Sequence, residues 1–376
     1  MTKYTKIESE NGLIYLREDK LPEIADIDTI VFDCDGVLLD VRNAYNVAIA
    51  TTTRYIIEAF TGTIIPKELF DSKLNHAYKR TGGFNNDWTH AYAVIMRILA
   101  ELPDKELEEL DKIAGESLQY VSPRERFDYI AGRVNADIPV DGLYDKLSDF
   151  AARLNDTGIE KVDELLLPRV GENIKRTFNF RGAVGESIIS TLFEELFAGI
   201  ALYRESFGLE PCFVEAEKGI VEADEVVIRE ETLNELESLL GGPRFGVASG
   251  SMENTARHAL KEIKDRFPQR SQYWHDVVDN DSKKLGKDNL HKPNPYPLVK
   301  AAEPYEPGKV LYIGDTMADY LTSENAGDKY LFAGVYSCVH SSEEALKGFL
   351  EMGSDIVAPT VNEIPLILRY ARGESN

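Results

Sequence analysis

Residues 28–40 read DTIVFDCDGVLLD. The run Asp28–Asp33 is apolar and ends in acid, the pattern of a strand buried on both faces of a parallel sheet. Gly36 permits a tight turn directly behind it, and a helical pattern begins near Asn43. Later stretches repeat the theme: RFGVAS at 244–249, KVLYIG at 309–314, YLFAGVY at 330–336 and DIVA at 355–358. Helices are expected between them at 231–240, 252–264, 295–302, 317–326, 342–350 and 362–371. Alternation of this kind implies a parallel sheet with helices on both faces. Residues 1–27 read as a polar lead-in with one edge strand at Leu13–Leu16.

Between residues 44 and 215 the periodicity is mainly helical, clearest at 45–60, 87–101, 104–119, 142–154 and 183–206. The strand at 28–33 therefore belongs with the strands that follow residue 216. The expected architecture is α/β: a Rossmann-like parallel sheet core from residues 1–42 and 216–376, discontinuous in sequence. It is interrupted by an inserted α-helical domain, residues 43–215. Loops at the carboxyl ends of parallel strands bind ligands, so an insertion at the first strand tip is expected to act as a lid. The length of 376 residues agrees with about two domains.

The net charge is −23, from 65 acidic and 42 basic residues. That balance argues against a nucleic-acid partner, which needs a basic surface, and against anionic membrane. A small anionic substrate stays possible, because a local cation overrides the global field. The cysteines Cys34, Cys212 and Cys338 are dispersed and lack metal spacing, which points to a reducing compartment. The polar start MTKYTKIESENG has no signal-peptide core, and no apolar run approaches a membrane span. A cytoplasmic location is the expectation.

Asp33 and Asp35 lie two residues apart at a strand end, and both ionise comfortably only beside a cation. Asp315 and Asp319, in GDTMAD, share a helix face if a helix starts there, although Asp315 or Thr316 also suits an N-cap. Together the four offer only oxygen, a donor set that selects a hard cation such as Mg2+. Ser249, followed by Gly250 and Ser251, can hold a phosphate with backbone N–H groups, or simply cap the next helix. Lys292, in HKPNP, is aimed by flanking prolines and can neutralise phosphoryl oxygens. Cys34 reads as a packed residue, and none of the six dispersed histidines reads as a metal ligand. On the side of the insertion, Arg42 and the segment KRTGGFNNDW at 79–88 are the candidate substrate contacts. Lys79 and Arg80 bring charge, Gly82 and Gly83 allow close approach, and Asn85, Asn86 and Trp88 offer polar and stacking surface. The competing reading of this segment is a helix N-terminus capped by Asp87.

The ordered set DxDGVxxD at 33–40, Ser249 after a strand, Lys292-Pro-x-Pro and GDxxxD at 314–319 resembles the four-motif signature of the haloacid dehalogenase (HAD) superfamily. The insertion resembles the C1 cap of its subfamily I, here enlarged, and DGVLLDVRNAY, GGFNNDW and RVGE resemble subfamily IA phosphatases. The resemblance implies that Asp33 is a nucleophile forming an aspartyl-phosphate. It makes Asp35 the general acid and base, with its backbone carbonyl on the metal. Asp315 completes a Mg2+ site with Asp33, and Asp319 supports that site. Ser249 and Lys292 hold the transferring phosphoryl group.

The implied activity is a Mg2+-dependent phosphatase acting on a small phosphorylated metabolite. A phosphomutase of the β-phosphoglucomutase type uses the same residues, and steady release of inorganic phosphate separates the two. A non-catalytic binding module on this scaffold would be expected to lack a core acid, and none is lacking. The presence of Asp35 disfavours a dehalogenase or a phosphonatase.

Overall fold

Thr29–Phe32, Phe245–Ala248 and Val310–Gly314 are buried at every position, which only the interior of a covered sheet provides. The computed structural model describes residues 2–84, 86–287, 289–339 and 341–374. It divides the chain into two units, residues 1–42 with 224–376 and residues 43–223.

The first unit holds an eight-stranded sheet. Its strands are β1 (Tyr4–Ser9), β2 (Gly12–Arg17), β3 (Thr29–Phe32), β6 (Phe245–Ala248), β7 (Gln272–Tyr273), β8 (Val310–Gly314), β9 (Tyr330–Val335) and β10 (Ile356–Ala358). They run in the order β1-β2-β10-β9-β8-β3-β6-β7. From β10 to β7 every pairing is parallel. Val31, Val310, Tyr312, Phe332 and Val357 pack one face against Leu298, Ala301 and Ala302 of the helix Tyr296–Ala302 and Phe349 of Ser342–Met352. Phe32 turns to the other face, edge-on to Phe245 and Phe267. Alternate residues of one strand thus serve opposite layers, and the α/β reading of the sequence holds.

The amino-terminal segment differs from its reading as a lead-in with one strand. β1 and β2 form an antiparallel hairpin, and β2 pairs with β10. Ile14, Tyr15 and Leu16 are buried, whereas β1 lies at the sheet edge and alternates exposed and half-buried residues. An edge strand with a wet face keeps a polar composition, which hides it in the sequence.

A two-stranded ribbon completes this unit: β4 (Leu39–Asp40) pairs antiparallel with β5 (Glu225–Val226). The chain thus leaves for the insertion and returns from it along neighbouring strands.

The second unit is helical, with its principal buried helices at Asp87–Leu99 and Ile188–Phe207. The second of these starts five residues later than the periodicity of 183–206 predicts, after the side chain of Ser187 caps Ser190 N–H at 3.3 Å. It also breaks at Gly199, where φ is +74°. A Cβ there would lie 2.5 Å from the backbone nitrogen of Gly219, and one on Gly219 would lie 2.1 Å from Phe197 O. Ile200 N–H also donates to Ala216 O at 3.0 Å. These contacts hold residues 216–223 on the helix, so the return crossing falls at residue 223 and not at 215.

Candidate active site

Strand register assembles the acidic residues. Phe32 of β3 stands opposite Ile313 of β8 on one side and Val247 of β6 on the other. The residues just beyond these strands therefore emerge in a row at one sheet edge: Asp33, Asp315 and Ser249. Asp33 N–H donates to Ile313 O at 2.8 Å, which fixes the Asp33 backbone to β8. The chain then turns sharply, with Cys34 O accepting from the N–H groups of Val37, Leu38 and Leu39. Cys34 is fully buried, and burial pushes its thiol well above the usual range, so it is a packing residue as the sequence suggests.

Gly36 closes that turn at φ +75°, and a Cβ there would lie 2.1 Å from Asp315 Oδ2. Gly36→Ala is therefore expected to be destabilised by more than about 1 kcal/mol, through strain and displacement of Asp315. Chemical denaturation against the native chain measures it, and an unchanged midpoint would contradict the close approach.

Carboxylate oxygens of Asp33, Asp315 and Asp319 all lie within 4.8 Å of one another, a group that can hold a metal ion. Lys292 enters between them, with Nζ 3.0 Å from Asp33 Oδ1 and 2.6 Å from Asp319 Oδ1. Burial pushes Asp33 up to about 7; Lys292 opposes the shift, and Asp319 and Asp35 add to it. Burial, with Asp319 and Asp33 adding, also pushes Asp315 well above the usual range. Desolvation would lower Lys292, but Asp319 and Asp33 outweigh it and hold the ammonium charged.

Asp319, which the sequence reading sets with the metal acids, is also engaged by other groups. Its oxygens already accept from Lys292 Nζ at 2.6 Å, Tyr312 Oη at 2.8 Å, and Thr316 N–H and Oγ1 at 3.1 and 2.5 Å. Burial acts against its charge, yet these donors and Lys292 hold its carboxyl below the usual range. Asp319 positions Lys292 and the helix Met317–Ala326, whose N-cap is Thr316 in a reciprocal capping box. Tyr312 was not read from the sequence as a site residue. Its hydroxyl also lies 3.1 Å from Ala248 O, so it ties β8 to the end of β6. Strand alternation from the buried pair Leu311 and Ile313 is the only signal that pointed to it.

Ser249 is buried, its backbone N–H donating to Tyr273 O at 3.0 Å and its hydroxyl 3.0 Å from that of Ser251. Neither serine caps the following helix, whose N-cap is Met252. Gly250 is exposed, with open space where a Cβ would stand. Asp35 lies two residues past Asp33 in the turn. Asp224, unread in the sequence, is also buried here. Desolvation, Asp35 and Asp40 push it up to about 8.

Arg42, read as a substrate contact, is committed within the first unit. Its guanidinium pairs with Asp40 through Nε at 2.8 Å and through Nη2, and its Nη1 donates to Ser337 O and Val339 O. In the helical unit, Lys79 pairs with Asp87 at 3.1 Å and lies 5.7 Å from the Tyr45 ring centre. Asn86, and not Asp87, caps the helix Asp87–Leu99 by accepting from Trp88 and Thr89 N–H. Trp88 Nε1 donates to the buried Glu194 at 2.8 Å. Burial pushes Glu194 up to about 7 against that hydrogen bond. A Cβ on Gly83 would lie 2.6 Å from Asn155 O, so this glycine serves a backbone approach. Arg80 and Gly82 are exposed, and Asn85 lies outside the described residues. The segment is thus largely a built helix start, with Glu194 as the partner that sequence distance concealed.

Among the described residues, no helix is long and apolar enough to cross a membrane. A family model described as haloacid dehalogenase-like hydrolase matches residues 170–327. No curated protein matches the chain. Among solved structures, the X-ray structure of a Northeast Structural Genomics Consortium target is similar, with TM-score 0.66 and 17% identity. That alignment covers 91% of this chain and 98% of the other, and it shows a shared fold. A Bacteroides fragilis protein described as a haloacid dehalogenase-like hydrolase aligns at 16% identity and TM-score 0.33, over 86% of this chain and 93% of its own. The family match runs through Ser249, Lys292, Asp315 and Asp319, residues that the fold gathers beside Asp33, and over residues 170–327 the chain is similar to the haloacid dehalogenase-like hydrolases.

Proposed function

We propose that this hydrolase is a Mg2+-dependent phosphatase that acts on a small phosphorylated metabolite through an aspartyl-phosphate on Asp33. The observation that carries the reading is the placement of Lys292 Nζ 3.0 Å from Asp33 Oδ1. A cation fixed beside a nucleophile is what phosphoryl transfer needs, since catalysis there is positioning plus charge neutralisation. The Asp33 carboxylate attacks phosphorus in line with the leaving oxygen, and that P–O bond breaks. Lys292 and the Ser249 hydroxyl hold the equatorial oxygens. Asp35 gives its proton to the leaving oxygen, then takes one from the water that attacks the aspartyl-phosphate, releasing inorganic phosphate and restoring Asp33.

The residues present fit a hard cation. Asp33 Oδ1 is buried without an aligned hydrogen bond, Asp315 is a neighbouring raised carboxyl, and every donor is oxygen. Asp33, Asp315 and the Asp35 carbonyl would hold Mg2+, which when bound offsets charge on the carboxylates and the phosphoryl oxygens. The expected substrate partner is a small phosphorylated metabolite, with neither nucleic acid nor membrane involved.

EDTA is expected to silence phosphate release from an aryl phosphate, and added Mg2+ to restore it. Release that persists after EDTA treatment and desalting would refute the metal-dependent reading.

A further inference from the structure

Outside the Asp33 group, two histidines and one carboxylate converge. His275 opens the helix His275–Leu285, and Asp279 lies one turn later on the same face. His291 comes from the loop beyond that helix. Its Nε2 is 2.7 Å from Asp279 Oδ1, and His275 Nε2 is 3.7 Å from Asp279 Oδ2. The two imidazoles stack with centres 4.4 Å apart and planes at 23°, so both rings bring Nε2 to one carboxylate. One ligand atom from each residue lies within 4.8 Å of the other two.

The support around these side chains is ordered. Asn294 N–H donates to His291 O at 2.9 Å, and Tyr296 Oη donates to Asp281 at 3.0 Å, pinning the loop to the helix. His275 N–H donates to Ser251 O at 3.0 Å. The three side chains keep 30–45% of their surface exposed, which leaves an entry path and room for water.

We propose that His275, Asp279 and His291 form a second cation site that takes a divalent transition metal of the zinc type. Two imidazole nitrogens and one carboxylate, with water in the fourth position, are a zinc-type donor set, whereas Mg2+ prefers oxygen throughout. Coordination at His291 Nε2 requires the tautomer that carries its proton on Nδ1. A bound ion would join the segment hydrogen-bonded to Ser251 to the residue preceding Lys292. It would thereby tie together the loops that carry Ser249 and Lys292.

The test uses the full chain, treated with EDTA, desalted and titrated with Co2+ in excess Mg2+. The expected result is visible d–d absorption that saturates at one equivalent and is bleached by Zn2+. His291→Gln and Asp279→Asn are each expected to weaken Co2+ binding by more than about 100-fold, beyond the usual cost of an outer-shell change. Asp315→Asn is expected to leave the bands unchanged. Absence of the bands in the native chain would overturn the proposal. So would their survival in both His291→Gln and Asp279→Asn, or their loss in Asp315→Asn.

Discussion

Asp33→Asn is expected to lower the rate of phosphate release by about 10⁴-fold or more, the scale on which enzymes lose rate with their nucleophile. The amide keeps the shape of the carboxylate but removes the attacking charge. The fold should not suffer, because the backbone bond from Asp33 N–H to Ile313 O does not involve the side chain. Stability should in fact rise. Asp33 is pushed up to about 7 by burial against the pull of Lys292, while its unfolded value is about 4. An acid raised on folding loses stability as pH climbs from about 4 through 7, because the folded form binds the extra proton. In EDTA above that window, Asn removes a buried charge among Asp35, Asp315 and Asp319. Thermal denaturation should show the variant at least as stable as the native chain, with the gap closing toward pH 4. Native-level turnover would sink the nucleophile assignment.

Lys292→Met should damage stability and rate together. Loss of the ammonium leaves Asp319 buried at 0% exposure with its closest charged partner gone. Breaking a buried pair in this way costs about 3–5 kcal/mol. Loss of a donor to the phosphoryl oxygens should also reduce turnover by about 10²–10³-fold. Equilibrium denaturation and phosphate release below the variant's melting range measure the two effects separately. A stable variant of native activity would contradict both roles.

The central sheet was legible because β3, β6 and β8 carry no charged residue and are followed by Asp33, Ser249 and Asp315, a contrast that survives without any knowledge of partners. Asp33, Ser249 and Asp315 were legible as candidates for the same reason, since strand ends on a parallel sheet converge, and Lys292 was legible from the prolines that flank it. What the sequence concealed was commitment. Nothing local marks Asp319 as the acceptor of four donors, or Arg42 as engaged by Asp40 and two carbonyls near residue 338. The helix start at residue 87 shows the limit of composition: Asn86 and Asp87 both suit a cap, and only backbone geometry selects the asparagine. Glu194 and Trp88 meet across 106 positions, and no periodicity reports a contact of that separation. His275 and Asp279 carried a weak sign in their spacing of four, but His291 joins them only through a fold-back after the helix.

The β4–β5 ribbon has a genetic consequence. Leu39 stands opposite Val226 and Asp40 opposite Glu225, so the chain departs and returns about 5 Å apart. A segment grafted at that point needs only closely spaced ends, whatever its length or sequence. None of the registers that align Asp33 with Asp315 and Ser249 involves the ribbon. Recombination at this neck can therefore exchange one insertion for another while the chemistry-bearing edge is inherited unchanged.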